Sequence, residues 1–467
     1  MKIRKARLTA WGIAAAAAIA VLPFLLLCAY WHPVGTHAVD WISNWGGRYE
    51  KVSYWAQQLD WYRTTMGRYT STALLSTTHH WYSLPVARCV FLALHLLLGG
   101  AVYYCVRGVF RAALGVHLVI TLAVLALYVS NLSNPYDSLY RLTGLLIYQT
   151  GLIATLLLAG LLCRGKVGWA AVAVVFAAGT NEISLVQCGG LLIGLVVYRP
   201  ELLRRSDTLV LLATAIFAAT VALAAPGNWV RAALYQTSTH SLPESFALVV
   251  ATGLFTWLSW LSSTALLPLI LVGSSFLPRV TLSRKNFLLL GTAAIVAPPI
   301  SFTPVLLATR AESFPEGIAD WQIIPVALLL SVLVASRPRY LLSTWQSALL
   351  VVLIGLVGTL GRVSIDRRRD GAVASPWERI VLTAPPGRAW QQLLSGRSAA
   401  YSASVERQYG EVRRCTQGIC RVSSLEGQFD NYLYDVSYDR RSRAGGDVWF
   451  GYLVNHSGVT VVSQHWD

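Results

Sequence analysis

The sequence predicts a mainly α protein: a polytopic transmembrane helical bundle of about eleven spans, followed by a small C-terminal α+β domain outside the membrane. Three observations predict it. Hydrophobic residues fill 55% of the 467 positions and charged residues only 13%, about half the charged share of a soluble domain. Apolar windows long enough to enter a bilayer recur through residues 1–362. The loops between them alternate between clusters of basic residues and mostly single ones, the asymmetry that orients membrane proteins.

The elements follow in chain order. Met1-Lys2-Ile3-Arg4-Lys5-Ala6-Arg7 precedes an apolar run over 8–30. That run is long for a signal peptide and no small-x-small cleavage site follows, so it reads as an uncleaved first span with a cytoplasmic start. Further windows fall at 85–106, 112–130, 143–163, 167–180, 183–198, 208–225, 247–277, 286–307, 322–336 and 340–361. Between Lys166 and Arg199 the one charged side chain is Glu182. A single helix of about 32 residues there would be roughly 48 Å long, against a hydrocarbon core of about 30 Å. Two short helices meeting at Gly179-Thr180-Asn181-Glu182 fit better, and they bring the carboxylate to a membrane face. A carboxylate at membrane depth costs at least a few kcal/mol and by default marks a functional site.

Arg107/Arg111, Arg164/Lys166, Arg199/Arg204/Arg205, Arg279/Arg284/Lys285 and Arg337/Arg339 lie in one set of loops. The positive-inside rule assigns that set to the cytoplasm. With the basic N-terminus inside, an odd number of spans then leaves the C-terminal segment outside. The net charge of +16 is accounted for by these loops facing anionic lipid. No nucleic-acid recognition motif accompanies it, so nucleic acid is not an expected partner.

Two outer regions are long: the loop 31–84, and the segment 363–467, whose composition is that of a soluble domain. Tyr432-Leu433-Tyr434-Asp435-Val436 and Val459-Thr460-Val461-Val462 alternate as strands do. Cys415 and Cys420 have the spacing of a short disulfide loop in an oxidising compartment, or remain two free thiols.

Under this topology the unusual polar residues gather on the outer side. The first outer loop offers Asp40, Asp60 and Met66-Gly67-Arg68-Tyr69. The next turns offer Asp137, Tyr140 and Arg141, then Asn181-Glu182, then Ala225-Pro226-Gly227-Asn228 with Arg231, then Arg310 and Glu312. Singly, each has a plain structural role. Asp137 and Arg141 can pair along a helix, and Glu182 can favour a helix N-terminus. Together they describe an acidic and arginine-lined cavity. Arginine holds phosphate bidentately, a carboxylate can take a proton from a hydroxyl, and amides and aromatic faces suit a sugar. There is no Walker A loop and no GxGxxG on a strand–helix unit.

The outer loop ending in Met66-Gly67-Arg68-Tyr69, the Gly179-Thr180-Asn181-Glu182 turn and the Ala225-Pro226-Gly227-Asn228-x-x-Arg231 segment resemble bacterial membrane glycosyltransferases of the GT-C type, Gtr-like proteins among them. The resemblance covers roughly residues 1–360 and leaves the C-terminal domain aside. It implies a polyprenyl-phosphate-linked sugar donor, a glycan or lipid-linked acceptor, and a periplasmic site in a bacterial inner membrane. It implies an acid of the first outer loop as base. Asp40 is the better positional match and Asp60 the rival, although the adjacent acid pair usual in that family is missing. Arg68, Arg231 and Arg310 would then meet the donor phosphate. Asn181, Glu182, Asn228, Asp137, Tyr140 and Glu312 would meet sugar or acceptor. Some relatives hold a divalent cation with loop acids. Asp40 and Glu182 would be its ligands, yet two carboxylates do not define a site. The rival readings are a transporter or flippase of a lipid-linked glycan, which the scarcity of charge in the inner halves of the spans disfavours, and a non-catalytic subunit of a polysaccharide assembly system.

Overall fold

A computed structural model describes residues 2–32, 53–80, 84–110, 112–132, 135–198, 205–235, 242–262, 282–309, 318–336, 363–365, 380–382, 385–414, 419–422 and 460–463. The described chain is mainly helical. α1 (Lys2–Leu27) runs into a 3-10 turn at Cys28–Tyr30. α2 (Tyr54–Thr64) and α3 (Tyr69–His80) form a short helical pair. α4 (Leu84–Val109) and α5 (Leu114–Asn131) follow. A π-helical turn at Tyr136–Tyr140 leads into α6 (Leu142–Cys163). Then come α7 (Val167–Ala178), α8 (Glu182–Tyr198), α9 (Ser206–Leu223), α10 (Pro226–Tyr235), α11 (Leu242–Ser262) and α12 (Arg284–Thr309). A 3-10 turn at Ile318–Gln322 opens α13 (Ile323–Ala335).

Four helical stretches among the described residues are long and apolar enough to cross a membrane: Pro85–Val109, Leu114–Asn131, Leu142–Cys163 and Ser206–Leu223. Ala14–Tyr30, Val167–Ala178, Glu182–Val197 and Asp320–Leu333 are shorter apolar helices. Helices of membrane-crossing length and composition are therefore present as expected, while the expected count of about eleven spans is not reached among the described residues. The window at 340–361 lies outside them. The break predicted at 179–182 is present: α7 stops at Ala178 and α8 starts at Glu182.

The core sits where the end of α1 meets α4 and the turn before α6. Trp31 is fully buried, its ring centroid 4.5 Å from that of Phe91. Its indole donates to the Tyr140 carbonyl at 2.9 Å, and the Tyr140 hydroxyl donates to the Phe24 carbonyl at 2.9 Å. A buried aromatic hydroxyl or indole N–H needs such partners. α1 also meets α5 through small side chains, Ala17 and Ala20 against Ala126, which let the helix backbones approach closely.

In the C-terminal segment α14 (Pro385–Leu394) and α15 (Arg397–Arg414) form a hairpin, turned at Gly396 with φ of 73°. Short strands pair two by two: β1 (Val363–Ile365) antiparallel with β2 (Ile380–Leu382), and β3 (Ile419–Val422) parallel with β4 (Thr460–Ser463). β4 coincides with the alternating stretch at 459–462. The stretch at 432–436 lies outside the described residues, as does Cys415, so the pairing of Cys415 with Cys420 does too.

Candidate functional site

Three turns far apart in sequence meet at one node. The first is Met66-Gly67-Arg68, between α2 and α3. Its Gly67 amide donates to Asn228 Oδ1 at 3.0 Å, while Asn228 Nδ2 donates to the carbonyls of Ala222 at 2.8 Å and Leu223 at 3.3 Å. Asn228 thus ties the start of α10 both to the end of α9 and to the first turn. A Cβ at Gly67 would collide with the Ala222 carbonyl, so the approach requires glycine. The second turn is Gly179-Thr180-Asn181. The amides of Thr70 and Ser71 donate to the Gly179 carbonyl at 2.8 and 3.2 Å, and Ser71 Oγ donates to the Thr180 carbonyl at 2.9 Å. These bonds satisfy carbonyls at the end of α7 that have no partner inside the helix.

Asn181 caps α8. Its Oδ1 accepts from the Ser184 amide at 2.9 Å, the usual geometry of an N-cap amide. Its Nδ2 reaches the Ile147 carbonyl at 2.7 Å. Burial raises the Tyr69 phenol to about 12, so its hydroxyl stays neutral and donates to the Val175 carbonyl at 2.7 Å.

Arg68 and Glu182 form the charged centre. Arg68 Nε donates to Glu182 Oε1 and Oε2 at 3.2 and 3.1 Å, and Nη2 to Oε2 at 2.7 Å. The side chains keep 14% and 26% of their exposure, so the pair is mostly sheltered yet open on one side. The guanidinium also lies 5.9 Å from the centre of the Tyr148 ring. Burial alone would lower the Arg68 pKa. Glu182 and the Tyr148 side chain outweigh it and hold the group above its ordinary value. Glu182 heads α8, where the helix dipole favours an anion.

A second wall was not anticipated from the sequence. Trp321 stacks on Tyr148 at 5.9 Å and 19°. Its neighbour Asp320 accepts from Ser138 Oγ at 3.0 Å, and Gln322 Oε1 accepts from Gln187 Nε2 at 3.0 Å. Gln187 stands on the same helix as Glu182. The contacts therefore close a ring: Glu182, Arg68, Tyr148, Trp321, Gln322, Gln187 and back along α8. Gln322 Nε2 and the Tyr128 hydroxyl are buried without a partner, and such groups in a native structure call for an explanation. The available signal was the run Asp320-Trp321-Gln322, an acid, an aromatic and an amide at the head of the short apolar window 322–336.

The remaining sequence candidates stand as follows. Asp60 lies on α2, half-buried. Tyr140 is fully buried, its hydroxyl engaged inside the core. The Asn181 and Asn228 amides are committed to backbone groups, so these two residues position the turns. The backbones of Asp137 and Arg231 are described and their side chains are not. Asp40, Arg310 and Glu312 lie outside the described residues. Among the described residues no group of three or more His, Cys, Asp or Glu side chains has the arrangement of a metal site, and Glu182 is engaged by Arg68. No family model, curated protein or solved structure matches the chain.

Proposed function

We propose that this chain is a GT-C-type glycosyltransferase of about eleven spans in a bacterial inner membrane, with its C-terminal α+β domain in the periplasm. It would move a sugar from a polyprenyl-phosphate donor to a cell-surface glycan or lipid-linked acceptor. One observation carries the reading. The partly open Arg68–Glu182 pair is walled by the Tyr148–Trp321 stack and the Gln187–Gln322 amides, beside helices apolar enough to enter a bilayer. That combination supports a ligand bringing an anion and hydroxyls together. Guanidinium is the side chain of choice for phosphate, and a carboxylate and amides take up sugar hydroxyls. Arg68 serves the phosphate in this reading, joined by Arg231 and Arg310, while Glu182 faces the sugar. Asp40 or Asp60 takes the proton of the attacking hydroxyl.

The test is transfer of labelled sugar from polyprenyl phosphate to acceptor in proteoliposomes. We expect Arg68→Lys and Glu182→Gln each to lower transfer by more than about tenfold, the effect of losing about 1.4 kcal/mol in the transition state. Asp40→Asn or Asp60→Asn should abolish it. Full activity in all four variants overturns the assignment. Passage of the lipid-linked glycan across the bilayer without a new glycosidic bond selects the transporter instead.

A further inference from the structure

Arg68 and Glu182 are held in place by more than their own contact. The Arg68 carbonyl accepts from the Thr72 amide at 2.9 Å, from Ser71 Oγ at 3.2 Å and from Thr72 Oγ1 at 3.0 Å. The residue before it, Gly67, is tied to Asn228 through its amide. Glu182 opens α8 directly after the Asn181 cap. Both backbones are therefore fixed, and the carboxylate stays against the guanidinium at 2.7 to 3.2 Å. The ring of contacts around them carries this one guanidinium and this one carboxylate, with tyrosine, tryptophan and two amides completing it. Its net charge is zero before a ligand arrives.

An anion that comes to Arg68 must share it. Glu182 already takes the edge formed by Nε and Nη2. The other fork of a guanidinium, at Nη1 and Nη2, sets its anion about 7 Å from the first one. At an effective dielectric of about 20, each unit of negative charge placed there is opposed by the carboxylate by about tenfold or more in affinity. The distance is shorter than the screening length of physiological salt. One charge on the ligand is offset by the guanidinium. A second charge meets the same opposition with nothing left in the ring to offset it.

From this we infer that Glu182 makes the site select a singly charged phosphodiester over a doubly charged phosphate monoester. The inference rests on the transfer reaction of the proposed function. A sugar linked to polyprenyl phosphate is such a diester, with one negative charge. In transfer the acceptor's hydroxyl oxygen bonds to the anomeric carbon, and the hydroxyl proton goes to the base. The bond from that carbon to the phosphate oxygen breaks, and its electron pair stays on the oxygen. The polyprenyl phosphate left behind is a monoester, whose second ionisation has a pKa of about 6. At neutral pH it carries the second charge, and Glu182 repels it. The same carboxylate thus admits the donor and expels the spent lipid phosphate.

Titration calorimetry on the full-length protein in detergent tests it, with farnesyl phosphate as the monoester and its methyl ester as the diester. At pH 8 wild type should bind the diester about tenfold more tightly or better. At pH 5 the monoester has lost its second charge, and the gap should close. Equal affinities at pH 8, or a gap that stays open at pH 5, overturn the inference on wild type alone. Glu182→Gln should close the gap at pH 8, whereas Glu182→Asp, which keeps the charge, should preserve it. A gap still open in Glu182→Gln removes Glu182 as its cause. Arg68→Ala should weaken both ligands. Unchanged binding in that variant overturns the phosphate reading itself. That outcome differs from failure of the charge selection, in which Arg68 matters and the number of charges does not.

Discussion

A double-mutant cycle on Arg68 and Glu182 measures how far the node is held by its charge pair. The perturbations are Arg68→Ala, Glu182→Gln and the two together. Three N–H···O contacts between 2.7 and 3.2 Å join the side chains. Removing one member of a fully buried pair costs about 3–5 kcal/mol, because the other charge stays behind. With 14% and 26% exposure, solvent screens part of that, and the expected cost of each single change is about 2–3 kcal/mol. The double variant leaves no stranded charge. It should be no less stable than the worse single variant, which gives a coupling of about 2 kcal/mol. Unfolding in detergent, followed by tryptophan fluorescence over a denaturant series, provides the four stabilities. Strict additivity of the two single changes would refute the argument, since it would mean that the side chains do not stabilise one another.

Four further outcomes follow from other contacts. Gly67→Ala should destabilise by more than about 2 kcal/mol in the same unfolding assay, because the added methyl overpacks a backbone contact. Asn181→Ala should cost about 1–2 kcal/mol through loss of the cap on α8, and Asn181→Asp should recover the cap while losing the donor to Ile147. Trp321→Ala should cost about 3–5 kcal/mol; a change below 1 kcal/mol would show that the stack on Tyr148 adds little. Burial, and then Arg88, lower the His32 pKa to about 3, against 6.5 unfolded. The unfolded chain thus binds the extra proton between those values, so stability is full above pH 6.5 and falls with acidification toward pH 3. Glu406 lies 3.9 Å away but is 62% exposed, which weakens its opposing pull. From pH 7 to pH 5 the loss should approach about 2 kcal/mol. His32→Gln should flatten the profile, and a profile as steep as wild type in that variant would refute the assignment to His32.

Some of this was readable in the sequence because certain residues have few places to go. A carboxylate inside an apolar stretch had to break the helix at 179–182, and α7 and α8 part there. The turns at 66–68, 179–182 and 225–228 drew notice as polar clusters between apolar windows, and they are the ones that meet. Their chemistry was less legible. Asn181 and Asn228 look like free amides in sequence, but their donors and acceptors are taken by carbonyls and amides of neighbouring turns. The contacts to Ser184, Ala222 and Leu223 are local, but Asn228 also meets Gly67 across 161 positions and Asn181 meets Ile147 across 34, and pairings of that kind depend on helix packing that leaves no local pattern. Asp320-Trp321-Gln322 carries no local pattern either. Its partners, Ser138, Tyr148 and Gln187, come from three different elements. The span count depends on where helices bend and stop, which apolar windows record poorly.

The amide clamps of Asn181 and Asn228 have a consequence for how the node responds to its surroundings. They are neutral, so neither acid nor salt within the ordinary range loosens the frame they hold. Ionic strength acts on the guanidinium and carboxylate they surround. Raising it should tune how readily an anion enters between Arg68 and Glu182 while the distances among the three turns stay fixed. The frame behaves as an insulator around a single ionic contact.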